Sequence, residues 1–103
     1  MSASTIIAVD LGGTRVRSAR LNDDLDMLMR HEELTLAHEG VDATLGRVMN
    51  VIREVLPTDG SSVDGIGISI PGPTNPFTGM VELGTNLGWH NVPLARLVQE
   101  EFG

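Results

Sequence analysis

Thr5-Ile6-Ile7-Ala8-Val9-Asp10-Leu11-Gly12-Gly13-Thr14-Arg15-Val16-Arg17-Ser18-Ala19-Arg20-Leu21 is the stretch that decides the fold. Its first part, Thr5 to Val9, is a short β-branched run, the pattern of a strand covered on both faces. Asp10 closes that run, and Gly12-Gly13-Thr14 is a turn signal. Val16 to Leu21 resumes as a second strand, so the stretch predicts a β-hairpin across a glycine turn.

The turn also has a chemical reading. Adjacent glycines can take positive φ and bring successive N–H groups to bear on an anion with no Cβ in the way. Thr14 adds a hydroxyl donor. Asp10, at the end of a buried strand, is placed to hold a hydrated Mg²⁺ or to position a transferred group. The turn is not a Walker A loop, since the chain contains no G-x-x-x-x-G-K-[ST]. It is not a Rossmann fingerprint either, because a strand follows it rather than a helix. By residue type alone a plain hairpin turn, for which Asp and Gly are ordinary choices, fits equally well.

Outward from the hairpin, Asn22-Asp23-Asp24 is a second turn, and Met27 to Leu36 predicts a third strand. A helix follows, with Asp42 as its cap and Leu45, Val48, Met49, Ile52, Val55 and Leu56 on one stripe. Pro57 stops it, and Thr58 to Ser62 form a polar loop. Val63 to Ile70 predicts a fourth strand with Ile66, Ile68 and Ile70 on one face and Gly65, Gly67 and Ser69 on the other. The small face implies close approach of another group to the backbone. Pro71-Gly72-Pro73 ends the strand, and a Pro/Asn/Gly-rich loop runs to Gly79. Met80 to Leu83 is a short extension, Thr85 to His90 a loop, and a last helix starts near Pro93. Leu94, Leu97, Val98 and Phe102 form its stripe, with Gly103 at the C′ position. Three strands, a crossover helix, a strand and a helix predict a mixed sheet with helix packing.

Composition narrows the function classes. A chain of 103 residues is one small domain or a piece of a larger one. The seven basic residues are all Arg, are scattered, and face fourteen acidic residues for a net charge of −7. That distribution argues against a nucleic-acid partner, which needs clustered cations. With no Cys, disulfides, thiolate nucleophiles and Cys-type zinc sites are excluded within these residues. Met1-Ser2-Ala3-Ser4 lacks the basic region of a signal peptide, and no run approaches the ~20 apolar residues of a membrane span. The expectation is a cytoplasmic protein without a membrane partner. His31, His38 and His90 lack metal-ligand spacing, and Asp23-Asp24 and Glu32-Glu33 read as solvated faces.

Ile7-Ala8-Val9-Asp10-Leu11-Gly12-Gly13-Thr14 resembles the first phosphate motif of the actin-like ATPase superfamily. Ile66-Gly67-Ile68-Ser69-Ile70-Pro71-Gly72-Pro73, followed by Thr85-Asn86-Leu87-Gly88-Trp89 and Val92-Pro93-Leu94, resembles the ROK (repressor, open reading frame, kinase) family. These matches run in order over nearly the whole chain. The resemblance implies an α/β, ribonuclease-H-like mixed sheet, with residues 1–103 as the N-terminal lobe short of its last strand and helix. It further implies a glucokinase-like parent enzyme that moves the γ-phosphate of ATP to a hexose hydroxyl. Asp10, Gly12, Gly13 and Thr14 then meet the nucleotide's terminal phosphates, with Asp10 on the Mg²⁺ side. Pro71 and Gly72 line the sugar pocket, and Asn86 hydrogen-bonds a sugar hydroxyl with an amide that both donates and accepts.

Trp89 reads as packing, and Arg15 stands where Lys or Asn often follows the threonine. The catalytic aspartate, a zinc-binding His/Cys cluster and the adenosine lobe are expected after Gly103, so this chain by itself is expected to be inactive. Which sugar, and whether ATP or polyphosphate is the donor, stay open. A sugar-sensing repressor of the same family is the alternative. It would carry a helix-turn-helix segment ahead of the lobe, expected to be absent here because the first strand begins so near Met1. A non-catalytic, actin-like interaction module is a third reading, against which an intact Asp10 and Asn86 count. Homo-oligomers are expected, because the Val63–Ile70 strand would present an open, apolar edge.

Overall fold

The hairpin around Gly12 seeds the sheet. The computed structural model describes residues 4–70, 72, 74, 75, 77–84 and 87–103. Strand β1 (Ser4–Leu11) pairs antiparallel with β2 (Arg15–Leu21), bringing Asp10 opposite Arg17 and Leu11 opposite Val16. Strand β3 (Met27–Leu34) adds antiparallel to β2. After helix α1 (Val41–Val55) the chain returns as β4 (Ser62–Ser69), parallel to β1. The sheet order is β3-β2-β1-β4, the predicted mixed sheet. A parallel neighbour requires a crossover, and α1 supplies it.

Alternation along β1 and β2 sends Ile7, Val9, Leu11 and Val16 to one face, where they are buried against Val48, Val51, Ile52 and Val55 of α1. Ser18, on the same face, donates from Oγ to the Val51 carbonyl at 2.6 Å. Arg20 donates from Nη1 to the Val55 carbonyl at 3.2 Å. Last-turn carbonyls have no partner inside a helix, and the arginine satisfies this one with a charge that suits the helix C-terminus.

Several expectations are corrected. Helix α1 begins after Gly40, whose φ of 102° only glycine tolerates; Asp42 lies inside the first turn and complements the helix dipole there. The buried stripe turns toward Val51, and Leu45 and Met49 are only half-buried. Strand β3 ends at Leu34 because Leu36 takes a left-handed φ of 50° and a 3-10 turn follows at Ala37–Glu39. At Trp89 and His90 the loop expected over Thr85–His90, whose first two residues lie outside the described ones, gives way to strand β6 (Trp89–Val92), which pairs antiparallel with β5 (Val81–Gly84) in a separate hairpin. Helix α2 (Leu94–Phe102) follows Pro93 as predicted and buries Leu94 and Val98. Finally, a Cβ at Gly65 or Gly67 would meet nothing within 4 Å among the described residues, so none of them packs against the small face of β4.

Candidate phosphate-turn site

The parallel pairing of β1 with β4 fixes where chemistry can sit. Both strands point the same way, so the glycine turn that follows β1 lies at the sheet end where β4 also finishes, with Asp10 opposite Ser69. Asp10 and Thr14 are exposed. On the sheet face away from α1, Asp10 borders a concavity of about 740 Å³ that also takes in Ala8, Arg17, Arg30, Glu32 and Ser69.

The turn is held differently from the expectation. Neither Gly12 nor Gly13 adopts positive φ, and Gly12 donates its N–H to the Arg15 carbonyl at 2.9 Å, closing the hairpin. Gly12 sits in a tight place: a Cβ there would lie 3.1 Å from Arg15 O, closer than such contacts ordinarily come. The N–H groups of Gly13 and Thr14 take no backbone hydrogen bond among the described residues. They, rather than Gly12, point to where an anion could be met.

Thr35 is the site residue that sequence reasoning missed. It is fully buried, donates from Oγ1 to the Gly12 carbonyl at 2.7 Å, and donates its N–H to the Thr14 carbonyl at 2.8 Å. Its own carbonyl accepts from Arg47 Nη1 at 2.8 Å, and Arg47 is ion-paired with Glu39. The turn is thus bracketed on both sides of Gly13 by one residue just past the end of β3. The only sequence signal for this is a threonine among the charged and apolar residues around it.

Gly72, with φ 120°, is exposed, and its carbonyl accepts from Thr74 Oγ1 at 3.4 Å. Pro71 and Asn86 lie outside the described residues. Leu87 and Trp89, on either side of Gly88, are buried, and Val81 belongs to the same core. Trp89 is therefore a packing residue, as its sequence context implied; among the described residues its Nε1 has no acceptor. No group of three or more His, Asp or Glu residues that could hold a metal ion occurs among the described residues.

Known proteins resemble this chain in sequence and in fold. The ROK family profile matches residues 6–103. The glucokinase of Thermotoga maritima is 34% identical over 99 residues, covering 95% of this chain and 31% of the relative. The xylose repressor of Caldicellulosiruptor bescii is 29% identical over 101 residues, covering 95% of this chain and 25% of the relative. Among solved structures, a ROK family glucokinase from Streptomyces griseus, in complex with glucose and AMPPNP, superposes with a TM-score of 0.83 at 20% identity, over 96% of this chain and 30% of that one. The fold is that of the lobe these proteins share, a mixed sheet flanked by helices. The chain belongs to the ROK family. It spans about a third or less of the length of the curated relatives it matches.

Proposed function

We propose that this chain is the N-terminal lobe of a ROK-type sugar kinase that transfers the γ-phosphate of ATP to a hexose hydroxyl. The observation that carries the reading is the intact Asp10-Leu11-Gly12-Gly13-Thr14 turn, at the sheet end where β4 also finishes. The 34% identity to a glucokinase supports it. In this reading the N–H groups of Gly13 and Thr14 and the Thr14 hydroxyl bind the terminal phosphates. Phosphoryl transfer is mostly a matter of positioning and charge stabilisation, which such donors supply. Mg²⁺ is commonly held by one or two carboxylates plus phosphate oxygens, and the exposed Asp10 fits that role. The ion would offset charge on the transferred group. Pro71, Gly72 and Asn86 face the sugar, and the base that accepts the hydroxyl proton is supplied by chain beyond residue 103.

The test is a coupled assay of the full-length protein with glucose and related hexoses, with ATP and with polyphosphate as donors. Turnover whose kcat falls in Asp10→Asn supports the reading, and absence of turnover with every sugar and donor overturns it. The 29% identity to a xylose repressor favours one second reading, the effector lobe of a sugar-responsive repressor. Sequence-specific DNA binding released by a sugar, without phosphorylation, would establish that one.

A further inference from the structure

Strand β3 forms one edge of the sheet. Met27 is 59% exposed, and Leu28 and Leu34 are each 50% exposed. A long, partly apolar edge of this kind is a template for another strand.

The backbone states which residues would pair. Thr35 donates its N–H to Thr14, its neighbour in the β2–β3 register. Hydrogen-bonding direction alternates along an antiparallel strand, so Glu33 and His31 also turn their backbone groups toward β2. Arg30, Glu32 and Leu34 therefore turn theirs toward the free edge. The side chains divide the same way. His31 and Glu33 lie on the α1 side, joined by a 3.0 Å contact, with Asn50 donating to Glu33. Arg30 and Glu32 lie on the open face. Glu32 meets Arg17 at 3.3 Å and Arg15 at 3.7 Å, whereas Arg30 makes no ion pair or side-chain hydrogen bond among the described residues.

The sequence Leu28-Met29-Arg30-His31-Glu32-Glu33-Leu34 is complementary to itself read backwards about His31. We infer that a second copy of this chain pairs antiparallel along β3, with His31 on the two-fold axis, doubling the four-stranded sheet. In that register Arg30 lies opposite Glu32 of the second copy, twice by symmetry, and the outward backbone groups of the two residues meet. Leu34 meets Leu28, which sits beside the register shift that ends the regular β2–β3 pairing. The backbone allows the neighbouring registers only in steps of two residues. One step one way sets Arg30 against Arg30, and one step the other way sets Glu32 against Glu32; like charges directly opposite are unfavourable. A two-fold interface must be self-complementary, and this edge has one such register. The opposite edge, β4, has Asp64 as its only charged residue and carries no comparable pattern.

Analytical ultracentrifugation of the protein from micromolar to millimolar concentration tests this. The expected result is a monomer–dimer equilibrium. Arg30→Glu, which places Glu opposite Glu twice, should weaken it about tenfold or more, and Arg30→Lys should leave it within a few-fold. Glu32→Arg should also dissociate, and an equimolar mixture of Arg30→Glu and Glu32→Arg should form a heterodimer, since both charge pairs are restored between unlike chains. Circular dichroism and thermal melting check that each variant is folded. If Glu32→Arg fails to fold, the contrast between Arg30→Glu and Arg30→Lys alone decides. A monomer at every concentration, an Arg30→Glu variant that dimerises as well as the native chain, or a mixture of folded variants that stays monomeric would overturn the proposal, leaving the charges as guards against edge pairing.

Discussion

Thr35 and Asp10 divide the work of the turn between them: one holds the backbone, the other faces solvent with its carboxylate. Replacing Thr35 by Val keeps its shape and removes its hydroxyl, leaving the Gly12 carbonyl without its 2.7 Å donor. Leaving this part-buried acceptor unpaired should cost about 1 kcal/mol, the lower end of the range for a buried one, and urea unfolding should show a loss of that size. Thr35→Ser, which keeps the hydroxyl, should lose less. Asp10 is exposed and its carboxylate makes no hydrogen bond or ion pair among the described residues, so Asp10→Asn should leave the melting temperature unchanged. In the full-length protein, under the kinase reading, Asp10→Asn should lower kcat with little change in sugar KM. Asn86→Ala should chiefly raise sugar KM, by the equivalent of about 0.5–1.5 kcal/mol for one hydrogen bond to a neutral hydroxyl. Steady-state kinetics separate the two, and an Asp10→Asn effect confined to sugar KM would refute the assignment.

At the scale of elements, α1 offers three substitutions with different signs. Ile52 is fully buried against the sheet, and Ile52→Ala should cost about 2–5 kcal/mol through lost burial and the cavity left behind. Gly46 sits in mid-helix, exposed, and a methyl group added there would meet nothing within 4 Å. Gly46→Ala should stabilise by about 0.5–1 kcal/mol, because alanine loses less backbone entropy in a helix. Gly40 has a φ of 102° at the helix start, and the same change there should destabilise, since a Cβ is strained at that φ however open the space. Thermal melts of the three variants should therefore move down, up and down. A rise for Gly40→Ala would mean that the cap conformation is not what admits α1.

For the whole molecule, the prediction concerns activity. Under the kinase reading the acceptor base and the adenosine-binding part lie beyond residue 103, so the 103-residue chain should phosphorylate no hexose. Loss of an essential catalytic group commonly costs several orders of magnitude in rate. Turnover by this chain above the no-enzyme rate would sink that expectation. The same reading accounts for a groove of about 480 Å³ between β4 and α2, bordered by Ile66, Ile68, Leu94, Val98 and Phe102. The isoleucines that alternate along β4 face it only half-buried, and a further strand from the rest of a kinase would cover them.

The sequence by itself determined the hairpin, the crossover helix, the fourth strand and the position of Asp10 at the end of β1. Each is written locally, as a period of two or of 3.6 residues broken by glycine or proline, and α1 is amphipathic enough to be read without its partners. Strand β6 could not be read that way. Trp89-His90-Asn91-Val92 is four residues long, with Asn91 at a left-handed φ of 50°, and it is a strand only because β5 lies against it. The same holds for the turn. Its glycines announce themselves, but the tight place at Gly12, with the Arg15 carbonyl 3.1 Å from where a Cβ would be, exists only once the hairpin has closed. The threonine that braces the turn stands 23 positions after Gly12, brought there by the β2–β3 pairing. Tertiary structure decided these points because hydrogen bonds and close contacts between distant residues leave no periodic trace in the sequence.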